Sequence, residues 1–122
     1  MTGAPEELAR VAAERHGETV LARLSGEIDL SNAAAVEDLL THGVGGATAV
    51  AVDLSGLSYL DSAGLALLSR LSGRLAGRSG QLRLVVPPDA VVGRTLSISG
   101  LPAAIPVDET VEAALAALDR RS

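Results

Sequence analysis

Apolar positions along this chain change period several times. From Leu8 to Arg15 they alternate loosely with polar ones, His16-Gly17 supplies a turn, and Glu18 to Ser25 alternates again with Val20, Ala22 and Leu24 on one face. This pattern predicts a hairpin at the edge of a sheet. Gly26-Glu27-Ile28-Asp29-Leu30 closes the second strand, and Ser31 stands where an N-cap is expected. The helix it would start runs through Leu40, with Val36, Leu39 and Leu40 as its inward stripe. Gly43 is expected to end that helix, and Gly45-Gly46 to loosen the loop after it.

Ala49 to Leu54 is apolar apart from Asp53 and rich in Val, the pattern of a strand buried on both faces. A short turn segment is expected next. Leu65, Leu68, Leu71 and Leu75 then recur at helical spacing, so a helix begins close to Ser62 and ends near Gly77 to Gly80. Gln81 to Val86 reads as a strand stopped by Pro87-Pro88-Asp89. Asp89 is expected to cap a short helix through Ser99, closed by Gly100, and Ala104 to Val107 to give a brief last strand. Asp108 would cap the final helix, with Glu109 and Glu112 in its first turn, Arg120-Arg121 at its end and Val111, Ala114, Leu115 and Leu118 inward. Strands alternating with helices predict an α/β domain: a mostly parallel central sheet, an antiparallel edge hairpin and about four helices. The domain is expected over residues 8–119, after a polar lead-in at 1–7 and before a tail at 120–122. Strand order does not follow from this pattern.

Composition narrows the chemistry. The 48% of hydrophobic residues includes one Tyr and no Phe or Trp, so the core is aliphatic. Fifteen acidic against ten basic residues give a net charge of −5, which argues against nucleic acid as a partner, since counterion release needs a strongly basic surface. Every basic residue is Arg, as GC-rich bacterial genomes favour, so no lysine chemistry is available. The absence of Cys removes disulfides and thiolate catalysis. His16 and His42 have no companions at metal-ligand spacing, so His16 reads as a turn residue and His42 as a helix C-terminal residue. No apolar stretch approaches membrane-spanning length, and a cytoplasmic location is expected.

The chemistry that remains sits at Asp61-Ser62-Ala63-Gly64-Leu65. There a strand-to-helix junction offers one serine hydroxyl at the positive end of a helix, with free backbone N–H groups expected around it. Taken alone, Asp61 and Ser62 are ordinary capping residues. A hydrolase would need a Gly-x-Ser-x-Gly elbow and a nearby base, and a phospho-aspartate receiver would need a lysine; neither is present. Tyr59 is expected to pack under the loop, with partner contact as its other use. Arg70, Arg74 and Arg78, four residues apart, form one basic stripe on the helix: a solvated face, or a contact for an acidic partner.

Gly26-Glu27-Ile28-Asp29 before a helix, then Val52-Asp53-Leu54, then Asp61-Ser62-Ala63-Gly64-Leu65, in this order and at these separations, resembles the STAS family, named after sulphate transporters and anti-sigma-factor antagonists. The likeness extends from about Leu8 to Leu118. In the antagonist branch, the serine after the aspartate is phosphorylated by the anti-sigma factor, itself an ATP-dependent serine kinase of the histidine-kinase-like ATPase type, and a PP2C-type phosphatase reverses the modification. The resemblance thus implies a non-enzymatic binding module. It would hold the anti-sigma factor while Ser62 is unmodified, free a sigma factor, and let go on phosphorylation; ATP and Mg²⁺ would belong to the partner, and this chain would need no cofactor or metal. Family members often carry a second Ser or Thr next in line, whereas Ala63 leaves a single acceptor here. Asp29, Ser31, Tyr59, Asp61, Ser62, Ala63 and Gly64 are the implied partner-binding residues. The other use of such a domain is as a subunit of a lipid-transport or stress-sensing assembly without a phosphorylation cycle.

Overall fold

The computed structural model describes residues 8–120, so the expected lead-in at 1–7 and residues 121–122 of the tail lie outside the described residues. Strands β1 (Ala9–His16) and β2 (Thr19–Ile28) form the expected antiparallel hairpin. They are followed by α1 (Ala33–Val44), β3 (Ala49–Leu60), α2 (Ser62–Ala76), β4 (Gln81–Val85), α3 (Gly93–Ser99), β5 (Val107–Asp108) and α4 (Val111–Arg120). The sheet order is β1-β2-β3-β4-β5, with β2 through β5 mutually parallel.

A parallel sheet that grows in sequence order sends its crossover helices to one face, because each connection has the same hand. The core agrees. Val36 and Leu40 of α1, Leu67, Leu68, Leu71 and Leu75 of α2 and Leu96 of α3 share one cluster with Leu24, Val50, Val52 and Leu84. The opposite face is left to α4, whose Ala114 and Leu118 pack on Leu21, Ala51 and Val85. The first half of β2, Thr19 to Ala22, is therefore buried on both sides, and the sheet's edges are β1 and the two-residue β5.

Several boundaries differ from the sequence expectation. Asn32, not Ser31, stands at the head of α1; Gly43 lies inside the helix, and Gly45 terminates it. Leu39, expected inward, is 52% exposed, and the buried stripe is Ala33, Val36, Leu40 and Val44. Val92 rather than Asp89 precedes α3, and Leu101–Ala103 forms a 3₁₀ turn before the two-residue β5. Asp108 belongs to that strand, where its carboxylate accepts two hydrogen bonds from Arg83 at 2.6 and 3.1 Å. The hydroxyl of Thr110 takes over the cap of α4, accepting from the N–H of Ala113 at 3.0 Å.

The turn expected after Leu54 is absent, because β3 continues to Leu60. Between the pairs Arg23↔Asp53 and Ser25↔Gly56, β3 advances three residues while β2 advances two; between Gly26↔Leu57 and Glu27↔Tyr59 it advances two against one. Each shift adds a residue to β3, a bulge that reverses the side on which the next side chains fall. Leu54, Leu57 and Leu60 consequently all point inward at a spacing of three. β4 stops pairing with β3 at Asp53, so beyond it β2 and β3 project as an arm, flanked by β1 as far as Gly26 and two-stranded from Glu27 to its tip.

Candidate functional site

At the tip of that arm the ends of β2 and β3 lie side by side, joined by a hydrogen bond from the N–H of Asp61 to the carbonyl of Ile28 at 3.3 Å. On the other side of β2, Gly26 lets the backbone of Leu8 come close. Its φ is +91°, and a Cβ there would run into the carbonyl oxygen of Leu8 across the hairpin.

The loop from Asp29 to Asn32 is built around two polar side chains. Asn32 is only 3% exposed; its carbonyl accepts from the N–H of Asp29 at 2.9 Å, and its amide donates to the carbonyl of Glu27 at 2.8 Å. The carboxylate of Asp29 accepts from both the N–H and the hydroxyl of Ser31, at 2.8 and 2.5 Å. Those bonds, the hydroxyl's first, hold the Asp29 carboxyl below the usual carboxylate range. Asp29 and Ser31 thereby fix the turn, and the residue between them, Leu30, is thrust outward at 84% exposure. Tyr59 projects from β3, half-exposed rather than packed beneath the loop.

Across from this loop, Asp61 caps α2. Its carboxylate accepts from the N–H groups of Ala63 at 2.9 Å and Gly64 at 3.3 Å. Two first-turn amides expected to be free are thus already bonded to an anion. Ser62, the first residue of the helix, is exposed. Gly64 faces the core, where a Cβ would collide with Leu60 and stand 3.2 Å from Ile28. The packing of the arm under α2 thus accounts for glycine at this position. Ala63 is half-buried and packs against the core cluster.

Glu27, Asp29, Leu30, Ser31, Tyr59 and Asp61 line an open depression of about 600 Å³. The structure therefore gathers Asp29, Ser31, Tyr59 and Asp61 around one surface beside Ser62. Glu27 and Leu30 complete it and were not singled out from the sequence; Leu30 closes an apolar strand motif and looks like a core residue there. Three of the six are acidic and none is basic. The expected arginine stripe does not join them: Arg70 and Arg74 of α2 donate to Glu37 of α1, Arg74 also to Thr41, and Arg78, which falls in the turn after the helix ends at Ala76 and so is not part of a helical stripe, donates to the carbonyl of Gly45. Arg70 and Arg74 clasp α1 to α2. Among the described residues there is no group of three or more His, Cys, Asp or Glu side chains placed to hold a metal ion, and no helix long and apolar enough to cross a membrane.

Comparison with known proteins places this geometry in context. The STAS domain model matches residues 10–114. A Mycobacterium tuberculosis protein named anti-sigma-F factor antagonist RsfA is 32% identical over 107 residues, covering 85% of this chain and 83% of its own length. The crystal structure of an anti-sigma factor antagonist from Mycobacterium paratuberculosis superposes with a TM-score of 0.82 at 28% identity, over 97% of this chain and 99% of the other. The Bacillus cell fate determinant SpoIIAA in its phosphorylated form superposes with a TM-score of 0.64 at 25% identity, over 93% of this chain and the whole of that one.

Proposed function

The chain belongs to the STAS domain family, and from that membership we propose that it is an anti-sigma factor antagonist whose contact surface is the depression beside Ser62. In this reading the anti-sigma factor is also a serine kinase. It is bound while Ser62 is unmodified, which frees a sigma factor, and it is released once it has phosphorylated Ser62. ATP and Mg²⁺ belong to the kinase, and a PP2C-type phosphatase resets the cycle. No chemistry is assigned to this chain beyond offering its hydroxyl.

The observation that carries the reading is an exposed serine at the first residue of α2, next to a surface on which Leu30 and Tyr59 stand exposed among three carboxylates. An exposed leucine and tyrosine at the centre of a polar rim suit a protein partner. The acidic rim calls for basic side chains opposite it. A phosphate at Ser62 brings about −1.5 to −2 charges at neutral pH. Asp61 already holds the nearest amides, so the phosphate would stay projecting into the interface beside a second anion. Unpaired charge in a desolvated contact costs several kcal/mol, ample for release.

The direct test is incubation with candidate anti-sigma factors and ATP, followed by mass-spectrometric mapping. Stoichiometric phosphate on Ser62, abolished by Ser62→Ala, is the expected result; modification elsewhere, or none with any candidate, would remove the reading.

A further inference from the structure

The long edge of the sheet is β1, an eight-residue strand that pairs only with β2 among the described residues; the opposite edge, β5, is two residues long. Its first residues alternate in burial, and from Ala12 to His16 all are exposed. Val11 packs against the core under α1 and Ala13 lies against Gly43 of that helix, whereas Arg10, Ala12, Glu14 and His16 are exposed on the other side. Glu14 is one neighbour of Arg23 on β2, at 3.5 Å, and of His16, at 3.2 Å, yet its side chain keeps 52% of its exposure. Arg10 has no ion pair among the described residues.

An open edge normally invites pairing with another strand, and charges on it serve to discourage that. The charges on β1 have a more particular arrangement. When a strand pairs antiparallel with a copy of itself about a two-fold axis, directly opposed residues must lie on the same side of the sheet, so the axis passes through a residue and not between two. Six central positions, Arg10 to Arg15, leave at least three residues of β1 paired, and the one at Arg15 sets two arginines face to face. An axis at Arg10 or Glu14 sets like charges face to face, one at Val11 opposes Arg10 to Ala12, and one at Ala13 opposes Arg10 to His16 and Glu14 to Ala12. An axis at Ala12 alone sets Arg10 of each copy opposite Glu14 of the other, twice, with the smallest side chain of that row at the centre.

We propose that two copies of this chain associate edge to edge through β1, antiparallel and centred on Ala12, to form a continuous ten-stranded sheet held in register by two reciprocal Arg10–Glu14 pairs. The partner is a second copy and not an unrelated strand, because the charge sequence is complementary to its own reverse. None of the residues lining the depression beside Ser62 lies on β1, so both copies keep that surface open and the proposal stands independently of the functional reading.

The test is sedimentation velocity over a rising concentration series, together with a charge exchange. Wild type is expected to move from one to two chains as concentration rises. Arg10→Glu and Glu14→Arg each place like charges opposite one another and should weaken association about tenfold or more, and the double variant Arg10→Glu/Glu14→Arg should recover it. Recovery cannot be attributed to a folding defect. The chain has no cysteine, so Ala12→Cys introduces a single thiol. Directly opposed Cα atoms are roughly 4.5–5.5 Å apart, within disulfide reach, and oxidised glutathione should link that variant into a covalent dimer. His16→Cys, on the same side but far from the axis, should stay unlinked. A monomer at every concentration, a dimer indifferent to charge reversal, or linkage through His16→Cys in place of Ala12→Cys would each overturn the proposal.

Discussion

A methyl group at position 64 would run into Leu60 and crowd Ile28 at 3.2 Å, so the bare backbone of Gly64 is what lets α2 settle on the arm formed by β2 and β3. Overpacking of this kind costs about 1–3 kcal/mol. Gly64→Val is therefore expected to lower the free energy of unfolding by that amount in a denaturant titration, and any loss of partner affinity should follow from the altered arm. The packing reason was not legible in the sequence, because a glycine admitted for an internal neighbour and one admitted for an external partner look the same in a string of letters. Leu30 is the converse case. It reads as strand interior, yet Asp29 and Ser31 lock the turn so that it stands 84% exposed. A surface leucine contributes little to folding but can anchor an interface. Leu30→Asp should leave stability within about 0.5 kcal/mol of wild type and weaken anti-sigma factor binding by roughly tenfold or more, as read by calorimetry on both properties.

Between elements, Glu37 joins α1 to α2 by accepting from Arg70 at 2.7, 3.1 and 3.2 Å and from Arg74 at 3.1 Å. The hydrogen bonds from Arg70, then those from Arg74, hold the Glu37 carboxyl below its ordinary 4.5. A carboxyl whose folded value is depressed contributes stability that is fully present above the unfolded value and is lost as pH falls through the folded one. Glu37→Gln should thus cost about 1 kcal/mol at neutral pH. The gap between the two melting temperatures should close as pH is lowered below about 4.5; a constant gap would show that the clasp does not depend on the charge. The basic stripe was legible as a helical repeat, but its acceptor was not, since Glu37 lies 33 residues from Arg70. The second half of β3 was illegible for another reason. Two bulges convert an alternation of two into a spacing of three at Leu54, Leu57 and Leu60, a spacing that resembles a loop running into a helix. The hairpin and α2 were readable because nothing interrupts their periods.

For the whole molecule, the α/β class, the antiparallel hairpin and the junction at Ser62 followed from pattern and resemblance, while the strand order did not, because pairing is decided by how helices share a face and not by any one segment. With α1, α2 and α3 on one face and α4 on the other, the sheet is closed above and below. What stays open is the arm's tip at one end and the long edge β1 at the side. In the proposed switch the tip acts through charge at Ser62 without a change of fold. Calorimetric titration of the cognate anti-sigma factor into wild type, Ser62→Ala and Ser62→Glu, with melting temperatures taken on the same samples, measures that most directly. The expected result is that Ser62→Ala binds as tightly as wild type, while Ser62→Glu binds about a hundredfold more weakly, roughly 2.8 kcal/mol, and melts with it. A Ser62→Glu protein that binds as wild type does, or that loses binding only because it melts far below wild type, would contradict the account.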